Sequence, residues 1–173
     1  MCRGRRFQAG CPFLTPNPEV WRGFNDLATK NPMLAKQWHP YKNKKLTPEM
    51  VTCGSGKNVW WIYPYDDPET GKHFDFEWRA QINSRTQGTE CPFLTGHAVW
   101  KGFNDLETCY SEIALEWHPT KNRRKKPDKV YKETTDKYWW KCPECGHEWY
   151  ASVRSRTVDE IGCRKCREKA PII

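Results

Sequence analysis

The chain has 173 residues and a mass of 20.5 kDa, which suit one or two small domains and exclude a large enzyme barrel. Only 37% of its residues are hydrophobic, yet it contains ten tryptophans, so we expect a small core built from aromatic rings. A formal net charge of +8 favours a polyanionic partner, with nucleic acid as the first candidate.

The hydropathy of the chain gives no sign of a membrane segment. No apolar stretch approaches the roughly 18 residues of a membrane span, and the N-terminus lacks the apolar segment of a secretory signal. We therefore expect an intracellular protein without a membrane partner or a small-molecule substrate; nucleus, cytoplasm and organelle matrix all stay open. In that setting, nine cysteines predict metal ligands or reduced thiols instead of disulfides.

An internal duplication organises the chain. Residues 20–61 align without a gap to residues 99–140, and both copies contain the segments GFNDL, WHP and WW. All ten tryptophans pair between the copies, which predicts that they form the core of the repeated unit. The alternative is nucleotide stacking by one ring of each WW pair, because neighbouring residues of a strand face opposite sides.

Capping and turn signals predict the same elements in both copies. In the first copy, Asn31 and Pro32 begin a short helix over residues 32–38. In the second copy, Ser111 begins the equivalent helix. Aromatic-rich strands follow and pair as β-hairpins over residues 58–63 and 74–82, and over residues 138–141 and 147–153. The sequence therefore predicts a small α+β fold of tandem units, each a short helix plus a β-hairpin.

The second copy contains two CxxC motifs. Seventeen residues separate Cys142 and Cys145 from Cys163 and Cys166. Two CxxC turns at such a spacing supply four thiolates to one tetrahedral zinc ion, whereas a redox dithiol needs only one motif. Four protein ligands leave no open coordination position. The sequence therefore predicts one structural Zn²⁺ ion that staples the second copy.

The first copy lacks this set of ligands. The equivalent positions are Tyr63, Asp66, Cys91 and Leu94, so we expect apolar packing there, with Tyr63 and Leu94 in the place of the ion. A rebuilt site from Asp66, His73 and Cys91 is the less favoured alternative, because structural zinc sites usually take four Cys or His ligands.

The duplication and the cysteines together predict three regions. Residues 95–173 form a zinc-binding repeat, and residues 16–94 form a degenerate repeat without zinc. Residues 1–15 carry a second CPFL segment and three arginines, which indicate a basic tail or the remnant of a preceding repeat.

Basic residues of the second copy are the candidate contacts to nucleic acid. Residues 118–132 carry seven basic residues against one acid, and residues 154–169 carry six against three. The candidates are Lys121, Arg123, Arg124, Lys125, Lys126, Arg154, Arg156, Arg164, Lys165 and Arg167. Phosphate contacts of this kind depend steeply on salt and carry little sequence preference. The alternative for residues 121–126 is a solvated loop.

The segments GFNDL, EWHPTKN and YWWKCPECGHEW, with a closing CxxC, resemble the zinc-ribbon repeats of the treble-clef class. Such repeats occur in tandem in proteins of bacteria, protists and large DNA viruses, and some are joined to nuclease domains. The resemblance covers nearly the whole chain. It implies a treble-clef or zinc-ribbon fold and association with DNA or RNA.

Three functions are compatible with these features. The first is a non-enzymatic protein that binds the nucleic-acid backbone through basic loops. The sequence shows neither a Ser–His–Asp set nor a glycine-rich phosphate loop, so it gives no reason to expect an enzyme. The second is a structural subunit of a large ribonucleoprotein, such as an organellar ribosome, with other protein subunits as partners. The third is an accessory or targeting module for a nuclease on another chain.

Overall fold

The computed structural model describes residues 19–169. The chain divides into two compact units, with the boundary between Cys91 and Pro92. We call the N-terminal part unit 1 and the C-terminal part unit 2. The predicted remnant over residues 1–15 lies outside the described residues, and the predicted limits of the three regions stay predictions. Within the described part, none of the helices has the length and apolar character needed to cross a membrane.

Both units have the same order of elements, and unit 2 adds one helix at its end. Unit 1 contains α1 (Leu27–Lys30), α2 (Pro32–Ala35), β1 (Asn58–Asp66), β2 (His73–Gln81) and α3 (Ile82–Thr86). Unit 2 contains α4 (Leu106–Cys109), α5 (Ser111–Leu115), β3 (Lys137–Lys141), β4 (Glu148–Ser152), α6 (Val153–Thr157) and α7 (Arg164–Lys169). Single 3₁₀ turns, Pro48–Met50 and Pro127–Lys129, precede the hairpins. The predicted small α+β fold with one antiparallel hairpin per unit is confirmed.

The GFNDL segment begins each unit's first helix. In unit 2, Oδ1 of the buried Asp105 accepts the backbone N–H of Thr108 at 2.9 Å, as an N-cap does. Its Oδ2 accepts the N–H of Gly102 at 2.6 Å, and Gly102 has a φ of 90°, which favours glycine. Asp26 caps α1 in the same way. The segment therefore has a structural role.

The helix predicted over residues 32–38 ends earlier, at Ala35. After it, the N–H groups of Gln37 and Trp38 donate to carbonyls three residues back, so the chain tightens and leaves the helix. Trp38 then pairs with Trp61 as an isolated bridge, with ring centroids 5.4 Å apart at 80°. In a segment this short, the Trp38–Trp61 contact stabilises the chain more than a further helical turn would.

The hairpins carry the aromatic core. In unit 2, Trp140 is fully buried and packs with Leu106, Val130 and Val153, and Trp117 meets its ring edge-on at 5.4 Å. Trp61 is equally buried in unit 1. The other ring of each WW pair, Trp60 or Trp139, is only half-buried. The expectation that the two neighbours face opposite sides is confirmed.

The expected apolar replacement of the metal in unit 1 needs a correction. Leu94 does not fill the place of the ion, since it is 37% exposed and lies beyond the unit boundary. The hairpin of unit 1 is longer than that of unit 2, and its far end carries a stack of aromatic rings instead. Phe76 is fully buried there, with ring centroids 5.9 Å from Tyr65 and 5.7 Å from Phe74.

Candidate metal centre and basic surface

The first CxxC motif lies in the turn between β3 and β4. The N–H of Cys142 donates to the carbonyl of His147 at 2.9 Å, and the N–H of Gly146 donates to the carbonyl of Cys142 at 3.1 Å. Gly146 has a φ of 67°, a conformation that favours glycine in this tight turn. The turn therefore presents both cysteines of the motif from one hydrogen-bonded loop.

The second CxxC motif lies at the start of α7. Cys163 directly precedes this helix, and its carbonyl accepts the N–H of Arg167 at 3.1 Å, so the first helical turn holds Cys166 beside it. A turn at the end of a hairpin thus faces the first turn of a helix, and each contributes two sulfurs.

The four sulfurs have the spacing of a zinc cage. Sγ of Cys142 lies 3.6 Å from Sγ of Cys166, and Sγ of Cys145 lies 3.6 Å from Sγ of Cys163. All four atoms lie within 4.8 Å of one another. A tetrahedron with Zn–S bonds of about 2.3 Å has edges of about 3.8 Å, whereas a disulfide would require about 2.05 Å. The arrangement therefore fits Zn²⁺ and four thiolates.

The ionisation of the thiols supports the same conclusion. The backbone N–H of His147 lowers the pKa of the Cys145 thiol to about 7. Hydrogen bonds with the sulfurs of Cys145 and Cys142 raise the pKa of the Cys166 thiol, and burial raises the pKa of Cys163. Four thiolates so close together repel one another unless a cation neutralises them. The donor set thus requires a metal to become fully deprotonated.

Between residues 19 and 169, the four cysteines form the one cluster of three or more side chains that could hold a metal ion. The residues weighed for a rebuilt site in unit 1 behave differently. Nδ1 of His73 lies 2.6 Å from a carboxylate oxygen of Asp66, and both side chains are largely exposed, whereas Cys91 is buried. His73 and Asp66 therefore form a surface ion pair.

A hairpin turn and a helix start that share one Cys₄ zinc site define a small structural zinc finger. A family model described as a probable treble-clef zinc finger domain matches residues 34–93, nearly all of them in unit 1, and residues 113–169 in unit 2. The two segments make up more than half of the chain, and the protein belongs to this family. The predicted tandem zinc-finger repeats are thereby confirmed. A search of curated proteins found no match.

The basic loop over residues 120–126 is tied to strand β3. The amide of Asn122 forms two hydrogen bonds with the backbone of Trp139, at 2.8 and 2.9 Å. Nδ1 of His118 accepts the N–H groups of Thr120 and Lys121, both at 3.2 Å. Because Nδ1 is an acceptor, the ring proton lies on Nε2, which is 3.0 Å from Glu148. Both anchors lie in the duplicated WHPxKN segment, but that segment alone does not indicate which backbone groups they bind.

Nine of the ten predicted basic contacts are exposed, and one is not. Arg156 is buried, and its guanidinium carbon lies 5.4 Å from the Trp140 ring centroid and 5.3 Å from that of Trp149. It donates to the carboxylate of Glu116 and to the carbonyl of Ile161. The prediction that Arg156 contacts nucleic acid is therefore wrong, because the fold uses its charge internally.

The exposed basic residues differ in how far acids already compensate them. Lys121 donates to Glu148, and this bond, followed by the contact with His118, lowers the pKa of Glu148 to about 2. Arg164 pairs with Glu168. Within the described residues, Arg123, Arg124, Lys125 and Lys126 form no ion pair, and the adjacent Asp128 pairs with Lys101 at 3.0 Å. Arg154, Lys165 and Arg167 form no ion pair within these residues either, but the loop carries four such residues in succession.

Proposed function

We propose that this protein is a non-enzymatic nucleic-acid-binding protein whose loop 120–126 contacts the phosphate backbone. The observation that carries the proposal is the combination of anchoring and charge in this loop. Asn122 fixes its backbone to β3, and Arg123, Arg124, Lys125 and Lys126 are exposed without acidic partners among the described residues. A fixed loop loses little conformational entropy on binding, which favours affinity.

The zinc site supports this role indirectly. It closes the far end of the β3–β4 hairpin, on which the loop is mounted. Four thiolates and Zn²⁺ together carry a charge of −2, and the exposed Arg164, Lys165 and Arg167 beside them offset that charge. We therefore assign the main phosphate contacts to loop 120–126, with Arg154 and the residues of α7 as secondary contacts. A closed four-ligand site also offers no coordination position to a substrate.

A salt titration tests the proposal. The binding of a labelled duplex to the zinc-loaded full chain is measured by fluorescence anisotropy at several salt concentrations. We expect the affinity to fall steeply with salt, and the double substitution Arg123→Gln/Arg124→Gln to reduce the log–log slope by about 2. The control Lys57→Gln/Lys72→Gln removes the same charge from exposed positions of unit 1. An affinity that does not change with salt, or equal effects of the two double substitutions, would refute the proposal.

A further inference from the structure

The hairpin of unit 2 has one buried face and one exposed face. Tyr138, Trp140, Trp149 and Ala151 point into the core of the unit. The alternating residues Lys137, Trp139 and Lys141 of β3, and Glu148, Tyr150 and Ser152 of β4, lie on the opposite face. Basic and aromatic side chains thus alternate along the outer face of β3, and Tyr150 lies at the centre of the outer face of β4.

Tyr150 is the most accessible ring on the outer face. It stands directly opposite Trp139 in the strand register, with ring centroids 5.4 Å apart and planes tilted by 44°. Lys121 covers Trp139, with Nζ 4.3 Å from the ring centroid, and leaves that ring half-buried. Tyr150 remains 56% exposed. Trp139 therefore acts as a support, and Tyr150 presents a free ring surface.

The charge around Tyr150 is positive. Lys137 and Lys141 flank Trp139 on the same face, each about 7 Å along the strand, and form no ion pair within residues 19–169. The acid on this face, Glu148, is already compensated by Lys121. Next to the Trp139 backbone lies the anchored loop with its four uncompensated basic residues. An aromatic ring surrounded by cations is complementary to a nucleotide, because the ring can stack on the base while the cations contact the phosphates.

We infer that Tyr150 stacks on an unpaired base, and that the partner of this face is a single-stranded nucleic acid. This inference rests on the function proposed above and adds the strand type to it. In a duplex both faces of each base are already stacked, so an exposed ring has no base surface to cover, whereas every unpaired base offers one. Stacking does not depend on base identity, so little sequence preference is expected.

Unit 1 lacks this surface. The residue opposite Trp60 in its hairpin is Arg79, so no aromatic ring stands where Tyr150 stands in unit 2. Lys42 lies over Trp60 with Nζ 4.7 Å from the ring centroid, much as Lys121 lies over Trp139. Both units thus have a tryptophan covered by a lysine at this place, but the exposed ring opposite that tryptophan occurs in unit 2 and not in unit 1. We therefore assign base stacking to unit 2.

The experiment compares three ligands of equal length with the zinc-loaded full chain. They are a thymidine single strand, an abasic single strand with the same phosphates, and a duplex. The wild-type chain should bind the thymidine strand about tenfold more tightly than the abasic strand, since stacking of one base is worth about that factor. Tyr150→Ala and Tyr150→Leu should lose that advantage and bind the abasic strand as the wild type does.

Two further substitutions serve as controls. Tyr150→Phe keeps the ring and should retain the preference for bases. Leu115→Ala removes an 82% exposed apolar side chain from α5, and should change nothing. Zinc content and near-ultraviolet circular dichroism verify that the fold of each variant is intact.

The outcomes separate the stacking inference from the proposed function. Equal binding of thymidine and abasic strands by the wild type, or an unchanged preference in Tyr150→Ala, would overturn stacking while phosphate binding stands. A Tyr150→Ala variant that loses affinity for all three ligands equally would overturn it as well. A wild type that binds none of the ligands would refute the proposed function itself, and would direct attention to a protein partner for this face.

Discussion

Arg156 and Glu116 form an ion pair inside unit 2, although 40 residues separate them in the chain. The same guanidinium donates to the carbonyl of Ile161, two residues before the zinc ligand Cys163. The pair thus joins the helical part of the unit to the segment that delivers the second CxxC motif. In unit 1, Arg85 lies between Trp61 and Trp78 and contacts Gln37 at the equivalent place.

Removal of this arginine should destabilise unit 2. Arg156→Ala leaves Glu116 without its partner and opens the space between two tryptophan rings, so we expect a loss of about 3 kcal/mol in the free energy of unfolding. Urea unfolding of the zinc-loaded chain, followed through amide signals of β3 and β4, measures it. Arg154→Ala, two residues away and exposed, should cost less than about 0.5 kcal/mol.

Glu116 should contribute less than Arg156 to the free energy of unfolding. Glu116→Gln reproduces the arginine–glutamine contact of unit 1, so we expect it to cost less than about 1 kcal/mol in the same unfolding experiment. A loss from Glu116→Gln as large as that from Arg156→Ala would mean that the negative charge itself is required.

The anchor of the basic loop gives a second prediction. Asn122→Ala removes the acceptor of the Trp139 N–H and one of the two donors to the Trp139 carbonyl, which keeps the N–H of His118. We therefore expect a cost of about 1 kcal/mol and faster loop motion. Hydrogen exchange measures this effect directly: the Trp139 amide should exchange faster. Asn43→Ala is the matched control, because Asn43 binds Trp60 in the same way in unit 1. If either substitution accelerated exchange equally at both sites, the anchors would not be local.

Unit 1 should show a pH dependence that comes from Glu77. Lys42, and after it His39, lowers the pKa of this carboxyl below its ordinary value of 4.5. A lowered folded-state pKa contributes stability that is present above the unfolded value and is lost as the pH falls through the folded value. The wild type should therefore exceed Glu77→Gln in stability by about 0.5–1 kcal/mol at neutral pH. That difference should shrink below about pH 4.5.

Urea unfolding followed through the amide signals of β1 and β2 tests this pH dependence. The comparison uses the difference between the two chains at each pH, because zinc loss from unit 2 at low pH affects both equally. A difference that stayed constant from neutral pH to about pH 3 would show that the Glu77 charge does not contribute through its partners.

Local patterns in the sequence were enough to predict the hairpins, the zinc ligands and the burial of one ring in each WW pair, although not which ring. A CxxC motif places two ligands through its own turn, and strand alternation follows from backbone geometry. The internal role of Arg156 could not be predicted in this way, because its partner Glu116 is distant in sequence. Helix α1 was missed because four residues are too few to show a helical period, and its cap at Asp26 is the main signal.

Tyr150 was also missed, for a different reason. The duplication directed attention to tryptophans present in both copies, whereas Tyr150 has no aromatic counterpart in unit 1. The exposure of a ring depends on what covers it, and Lys121 covers Trp139 from a loop that precedes the strand. Only the folded arrangement shows which ring is left accessible.

We expect one zinc ion, held by four cysteines, to stabilise unit 2. Native mass spectrometry of the intact chain, combined with thermal unfolding, tests it most directly. We expect one zinc per chain, and we expect Cys163→Ser to weaken zinc retention and lower the melting temperature of unit 2, because metal binding contributes to folding stability. Cys53→Ser, which alters a thiol outside the cluster, should leave the metal content unchanged. Two zinc ions per chain, or a Cys163→Ser chain that keeps both its zinc and its melting temperature, would contradict the account.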